Sequence, residues 1–337
     1  MVKVFRTISA VLLISALCAG QALAQGESGA SSLIIPPSAR ANAMGQSFVA
    51  LSEDATSLWW NPAGMAFQKR AVDFMHTQLV PDLASDVFFE YLGVIYEIEG
   101  LAVIGANIQY LTYGEWEATS ETGEDLGTAK SYEFVPTIGG AIRITDNLAV
   151  GLNLKFIYVN LAPAWATVEQ IDGTGHSVGV DFGVLWKVPD FSVAGYKISR
   201  LRLGSSVVNI GPSLTYKNRD QAAPLPRNLR VGFAYTPVQD EGMEITMVAD
   251  VNKSLVDYFT DEDYKRSNTY HVGAEFVYAA LLVIRGGYIQ DKDGDIKAPT
   301  YGLGFLMLEN KLRIDFASIP QASDLERVYR WSVGYNF

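Results

Sequence analysis

Three histidines, His76, His176 and His271, are the side chains best suited to general acid–base chemistry, and they stand far apart in sequence. No HExxH, GxSxG or Walker-type run accompanies them, so the hydrolase and nucleotide-binding readings lack their minimal parts. Asp291-Lys292-Asp293-Gly294-Asp295 has the acidic spacing of a calcium loop, but Ile296 stands where its turn glycine is needed. Asp257 and the Asp261-Glu262-Asp263 run read as solvated charge. Cys18, the single cysteine, excludes a disulfide framework and a thiolate metal cluster. A histidine-based hydrolytic site assembled from separate segments stays open on spacing alone, but the expectation is a non-enzymatic chain with no catalytic residue, metal or cofactor. What remains is a set of charges at alternate positions of apolar segments: Lys155, Arg230, Arg313 and Arg330 against Glu133, Asp181, Glu275 and Asp315. Charges so placed share one face of a sheet, and they are expected to pair across the space that it encloses and hold it shut, in preference to lining an open ion channel.

The elements that carry them are strands. From Leu148 to Tyr158 the even positions are apolar, while Gly151, Asn153 and Lys155 fall between them. The period of two returns at Val178–Trp186, Leu229–Tyr235 and Tyr301–Met307. Gly, Asn, Asp and Pro clusters separate the segments, and about fourteen strands follow residue 70. Short connections (97–100, 145–147, 237–242, 279–281, 309–310) alternate with long ones (113–130, 160–176, 211–226, 253–268, 290–298, 318–326). Residues 188–198 break the alternation and read as a miscounted strand. No later apolar run exceeds the nine residues from Phe276 to Ile284, too few for the ~20 of a membrane helix. Small polar residues between the apolar ones, and aromatics at segment ends, favour a barrel in a membrane over a soluble sandwich.

At the start of the chain, Lys3 and Arg6 precede an apolar run from Val11 to Leu17, and Ala22-Leu23-Ala24 precedes Gln25. This is the pattern of a cleaved secretory signal over residues 1–24. The total of 26 basic against 37 acidic residues, −11, disfavours nucleic acid as a partner. Residues 25–69 do not alternate, are rich in small residues, and place Asn61-Pro62 at a turn or helix start, with Gly64 allowing a sharp exit. They are expected to form a plug within a barrel of residues 70–337. The last segment places Tyr329, Trp331, Val333, Tyr335 and Phe337 on one face, with Arg330, Ser332, Gly334 and Asn336 on the other.

The last strand resembles the terminal strand of outer-membrane proteins, which implies recognition by the barrel-assembly machinery. The run SARANAMGQSFVALSEDATSLWWNPAGMA resembles the N-terminal hatch of FadL-like outer-membrane proteins, and most closely the PorV/PorQ group. The matching positions are Ser38, Arg40, Met44, Gly45, Asp54, Trp59, Trp60, Asn61, Pro62, Ala63 and Gly64. The resemblance implies an all-β, fourteen-stranded barrel in the outer membrane of a Gram-negative bacterium, in contact with outer-membrane lipid. It implies one of two roles. One is type IX-like secretion or surface attachment, with cargo C-terminal domains or secretion components as partners and Trp116 and Trp165 as candidate loop anchors. The other is passage of fatty acids or other hydrophobic compounds, which requires an apolar pocket beside Trp59, Trp60 and Met65.

Overall fold

Side chains that alternate between apolar and polar need two different surroundings, and a closed sheet supplies both. The computed structural model describes residues 29–337 apart from 82, 168–172, 217–221, 241, 257, 259–265 and 323–325. The signal segment with Cys18, and the Asp257 and Asp261–Asp263 charges, lie outside the described residues. Seventeen strands occur among the described residues. They are β1 (Arg70–Gln78), β2 (Val87–Ile98), β3 (Ala102–Thr119), β4 (Asp125–Thr145), β5 (Leu148–Asn160), β6 (Thr174–Val188), β7 (Phe191–Val193), β8 (Tyr196–Ile198), β9 (Leu201–Ile210), β10 (Thr215–Tyr216), β11 (Asn228–Asp240), β12 (Met243–Ser254), β13 (Thr269–Tyr278), β14 (Leu282–Asp291), β15 (Ile296–Met307), β16 (Leu312–Ile319) and β17 (Val328–Asn336). Fourteen of them form an antiparallel barrel, which closes where β1 pairs with β17 and where β9 joins β6 to β11.

Residues 188–198 are not a miscounted barrel strand. β7 and β8 form a separate two-stranded ribbon, turned by Ala194 and Gly195 at positive φ, so the count of fourteen is unaffected. Two of the long connections are mostly strand. β3 and β4 continue past a bulge between Thr112 and Glu115 to a turn at 120–124, and β14 and β15 leave only 292–295 between them.

The two faces divide as the chemistry requires. On β17, Tyr329, Trp331 and Val333 are exposed outward, whereas Arg330 and Ser332 are buried within. A row of outward rings, His76, Phe88, Tyr110, Tyr132 and Tyr158, runs along neighbouring strands at centroid separations of 5.4–6.2 Å. At the opposite end Tyr96, Tyr278 and Phe305 point outward. The path from Phe88 to Tyr96, at ~3.4 Å per residue and a tilt of ~40°, rises about 21 Å, near the ~25 Å apolar band of such barrels. Amphipathic rings at both edges match the two membrane interfaces.

Candidate functional site

The lumen is filled by residues 29–68, which fold as short turns rather than as a helix long enough to stand alone. Ser38 caps a single helical turn, Ala39–Ala43, its hydroxyl accepting from the Ala41 amide. Asn42 ties that turn down by donating to the Pro36 and Ser38 carbonyls. Gly45 and Gln46, at φ 69° and 62°, then reverse the chain. Leu58, Trp59 and Trp60 follow in the turn Ser57–Trp60, and Trp60 packs edge-on against Trp59 and Phe48. Asn61 starts the 3₁₀ segment Pro62–Phe67, its Oδ1 accepting from Ala63 N while its Nδ2 donates to Val49 O at 2.9 Å and Val184 O at 3.0 Å. That side chain joins two turns of the hatch to the barrel wall.

The wall is shaped to the hatch by glycine. A Cβ on Gly151 would overlap Pro62 and Ala63, on Gly183 Asn61, on Gly204 Val49, on Gly273 and Gly287 the Met44–Gly45 backbone, and on Gly302 Ala43. Within the hatch, Gly64 lies against the Ser52 carbonyl, where a Cβ has no room. Gly64→Ala and Asn61→Ala are therefore expected to unseat the hatch without disturbing the outward face. Trypsin accessibility of residues 29–68, read beside heat-dependent gel mobility of the inserted barrel, checks this. If neither variant inserts, the segment is a folding element.

Charges hold what shape does not. Glu275 accepts from Arg40 at 2.6 and 2.8 Å and from Arg285 at 2.6 Å. Arg285 continues to Asp315 at 2.7 Å, and Arg313 gathers Asp315, Asp73 and Asp54 at 2.7, 2.9 and 3.1 Å. Burial works against charge on the Arg40 guanidinium, but Glu275 outweighs it, and its pKa lies above the ordinary arginine value. On the opposite side of the lumen Lys155 pairs with Asp181 of the adjacent strand at 2.9 Å and with Asn209 at 2.7 Å. Asp250 accepts from the Phe48 and Val49 amides, and Glu133 from those of Ser31 and Ser32. Arg230 donates to Trp59 O and lies 3.9 Å from the Trp59 ring, and Arg330 donates to Pro36 O and Asn42 Oδ1.

These pairs do not cross the barrel from wall to wall. With the hatch between the walls, each charge meets a strand one or two places along the sheet, a hatch side chain or a hatch backbone group. Arg285, buried between Glu275 and Asp315, is absent from the charges that the sequence singles out, although its parity on β14 places it with Val283 and Ile289 on the inner face. Asp54 also accepts from the Thr56 amide and hydroxyl. Met44 and Ala63 are fully buried.

The histidines do not meet. His76 pairs outward with Glu90 at 3.1 Å, His176 is exposed, and His271 is buried against Gly45 O. Asp291 Oδ1 accepts from the Asp293 and Gly294 amides and so organises its own turn. The cavity that touches Trp59 and Trp60 has a mixed wall, with Asn228, Asn252, Thr269 and His271 beside Pro226, Ile289 and Ile296, and Met65 is fully buried. It is thus not the wholly apolar pocket expected beside Trp59, Trp60 and Met65. Beyond the barrel rim, Trp116 donates to Ser131 Oγ and packs with Ala118, Ala129 and Ala166, and Trp165 is half exposed beside them. This packing joins the projecting β3–β4 hairpin to the connection that follows β5.

A family model described as "Type IX secretion system protein PorV" matches residues 25–261. Among solved structures the chain is similar to the Ralstonia pickettii toluene transporter TbuX, at TM-score 0.56 and 16% identity over 88% of this chain and 97% of that one. The Pseudomonas putida toluene transporter TodX matches at 0.56 and 12% over 87% and 95%. A Pseudomonas aeruginosa FadL homologue matches at 0.50 and 12% over 89% and 98%. At these identities the likeness is one of fold. No curated protein matches the chain.

Proposed function

The chain belongs to the PorV family and is an outer-membrane β-barrel, and on that premise we propose that it works as a closed, non-enzymatic scaffold for type IX-like protein secretion or surface attachment. The observation that supports this reading is the lumen, occupied by a hatch whose polar groups are bonded to inward wall groups. A barrel so filled does its work on its rims and outer surface. The β3–β4 hairpin, braced through Trp116 with Trp165 at its side, is the external surface for cargo C-terminal domains or other secretion components. Residues 1–24 are removed on export, 25–69 are the hatch and 70–337 the barrel. Tyr329, Trp331, Val333, Tyr335 and Phe337 serve the assembly machinery as its signal before they face lipid.

Purification from native outer membrane in mild detergent, followed by mass spectrometry, tests the proposal. Secreted proteins that share a C-terminal domain, or envelope secretion components, are the expected companions. A bound fatty acid or aromatic compound with no protein partner would replace the proposal with hydrophobic transport.

A further inference from the structure

The outward face of β1, β16 and β17 is not a plain lipid-facing wall. At the end nearer the long connections it sinks into a groove of about 440 Å³, lined by His76, Gln78, Pro81, Phe316, Tyr329 and Trp331. The floor is aromatic. Phe316 stacks on Tyr329 at 5.7 Å and packs against Trp331 at 4.5 Å, and both of those rings are half exposed. Gln321 donates to Leu79 O at 3.0 Å above the groove and so ties the connection after β16 to the one after β1. An ordinary interfacial ring stands on a convex wall and meets lipid alone. Three rings around a hollow the size of a ligand pocket present an enclosed apolar surface instead.

Above the groove stands a cation without a counter-ion. Arg327, two residues before Tyr329, donates from Nε to Ser318 Oγ at 2.8 Å and from Nη2 to the Ser318 and Pro299 carbonyls at 2.8 and 3.0 Å. Its guanidinium lies 5.4 Å from the centre of the outward Tyr301 ring. All of these partners are neutral, and no carboxylate among the described residues forms an ion pair with Arg327, its neighbour Glu326 included. Lys297, exposed on the same face two residues beyond Pro299, also pairs with none of them. The carboxylates nearby are engaged elsewhere: Asp291 and Asp293 accept from backbone amides, and Glu90 pairs with His76 at 3.1 Å.

Register sets the depth of these groups. Tyr329 lies opposite Ser318 and Ser318 opposite Tyr301, while Trp331 lies opposite Phe316 one step deeper. Arg327 is four residues above Trp331, which at ~3.4 Å per residue and a tilt of ~40° is about 10 Å. An apolar groove with a fixed, unneutralised guanidinium above it matches a single anionic lipid, its chain below and its phosphate above. The long connections are on the outer side, and the lipid of that leaflet carries its phosphates on sugar. We propose that this face holds one phosphorylated glycolipid of the outer leaflet, an acyl chain lying between Phe316, Tyr329 and Trp331 and a sugar-borne phosphate bound by Arg327 and Lys297.

Native mass spectrometry of the full-length protein in detergent tests this, with diphosphoryl lipid A, its dephosphorylated form and phosphatidylglycerol as probes. The expected result is one diphosphoryl lipid A retained per chain at ratios where the other two are lost. Retention should fall at least about fivefold in each of Arg327→Gln, Lys297→Gln and Phe316→Ala. Lys311→Gln, which removes an exposed charge at the opposite rim, should change nothing. Lys297 bonds to no described side chain, so its variant separates lipid contact from folding, and unchanged heat-dependent gel mobility confirms the barrel in all four. The proposal is overturned if the dephosphorylated form or phosphatidylglycerol is retained equally, if no lipid A is retained, if retention survives the three substitutions, or if Lys311→Gln lowers it as much.

Discussion

Gly287→Val will loosen the hatch, and Gly286→Val, one residue away, will leave the protein as it was. The two glycines differ only in the face they present. At Gly287 a Cβ would overlap Gly45 N and the Met44 carbonyl carbon, whereas at Gly286 the nearest atom is Thr300 O at 4.0 Å. Nor can the hatch give way at that point. Met44 is fully buried, Gly45 N donates to Thr300 Oγ1 at 2.9 Å, and Gly45 O accepts from His271 at 2.7 Å. Overpacking of this kind costs about 1–3 kcal/mol, and it falls on hatch contacts because the β13–β14 and β14–β15 ladders are formed by backbone on either side. In planar bilayers the wild type should be silent, Gly287→Val should show current steps, and trypsin should cut the hatch in that variant alone. Equal behaviour of the two variants would mean that the glycines do not locate the hatch.

The same pair shows why the lumen is harder to read from sequence than the wall. Parity along a strand says which side chains face inward, so the lipid face of β5 or β17 and the inward placement of Lys155 and Arg330 follow from a period of two. Parity also marks Gly151, Gly183 and Gly287 as inward, and small inward residues suit a wet channel as well as a crowded one. What distinguishes the cases is the backbone of another segment, and nothing local to a strand encodes it. The partners of the charges are hidden for the same reason. Glu133 meets the Ser31 and Ser32 amides about one hundred positions away, and a backbone amide carries no sequence mark. The ribbon Phe191–Ile198 escapes a reading by period because its three-residue strands are shorter than the window over which alternation can be seen.

Arg313→Met will have the largest effect of any single change among the wall charges, because one guanidinium there serves three carboxylates. Its Nη2 lies 2.9 Å from Asp73 and 3.1 Å from Asp54, and its Nε lies 2.7 Å from Asp315. Asp54 belongs to the hatch, Asp73 to β1 and Asp315 to β16, so the side chain joins the hatch to the wall on either side of the β17 closure. Methionine keeps most of the volume and removes the charge, leaving Asp54 and Asp73 without their cation and Asp315 with Arg285 alone. Loss of one partner from a buried ion pair costs about 3–5 kcal/mol, chiefly because the remaining charge is stranded. Urea unfolding of the purified barrel should show that loss. Arg313→Lys should fall between, since an ammonium keeps the charge but cannot span three carboxylates with a planar fork. The double variant Arg313→Met/Asp73→Asn should recover part of the deficit. It removes one stranded charge, while the carboxamide oxygen introduced at that position can still accept from the Ala55 amide, which Asp73 now holds at 2.8 Å. Additive losses in that double variant would show that Arg313 and Asp73 act independently.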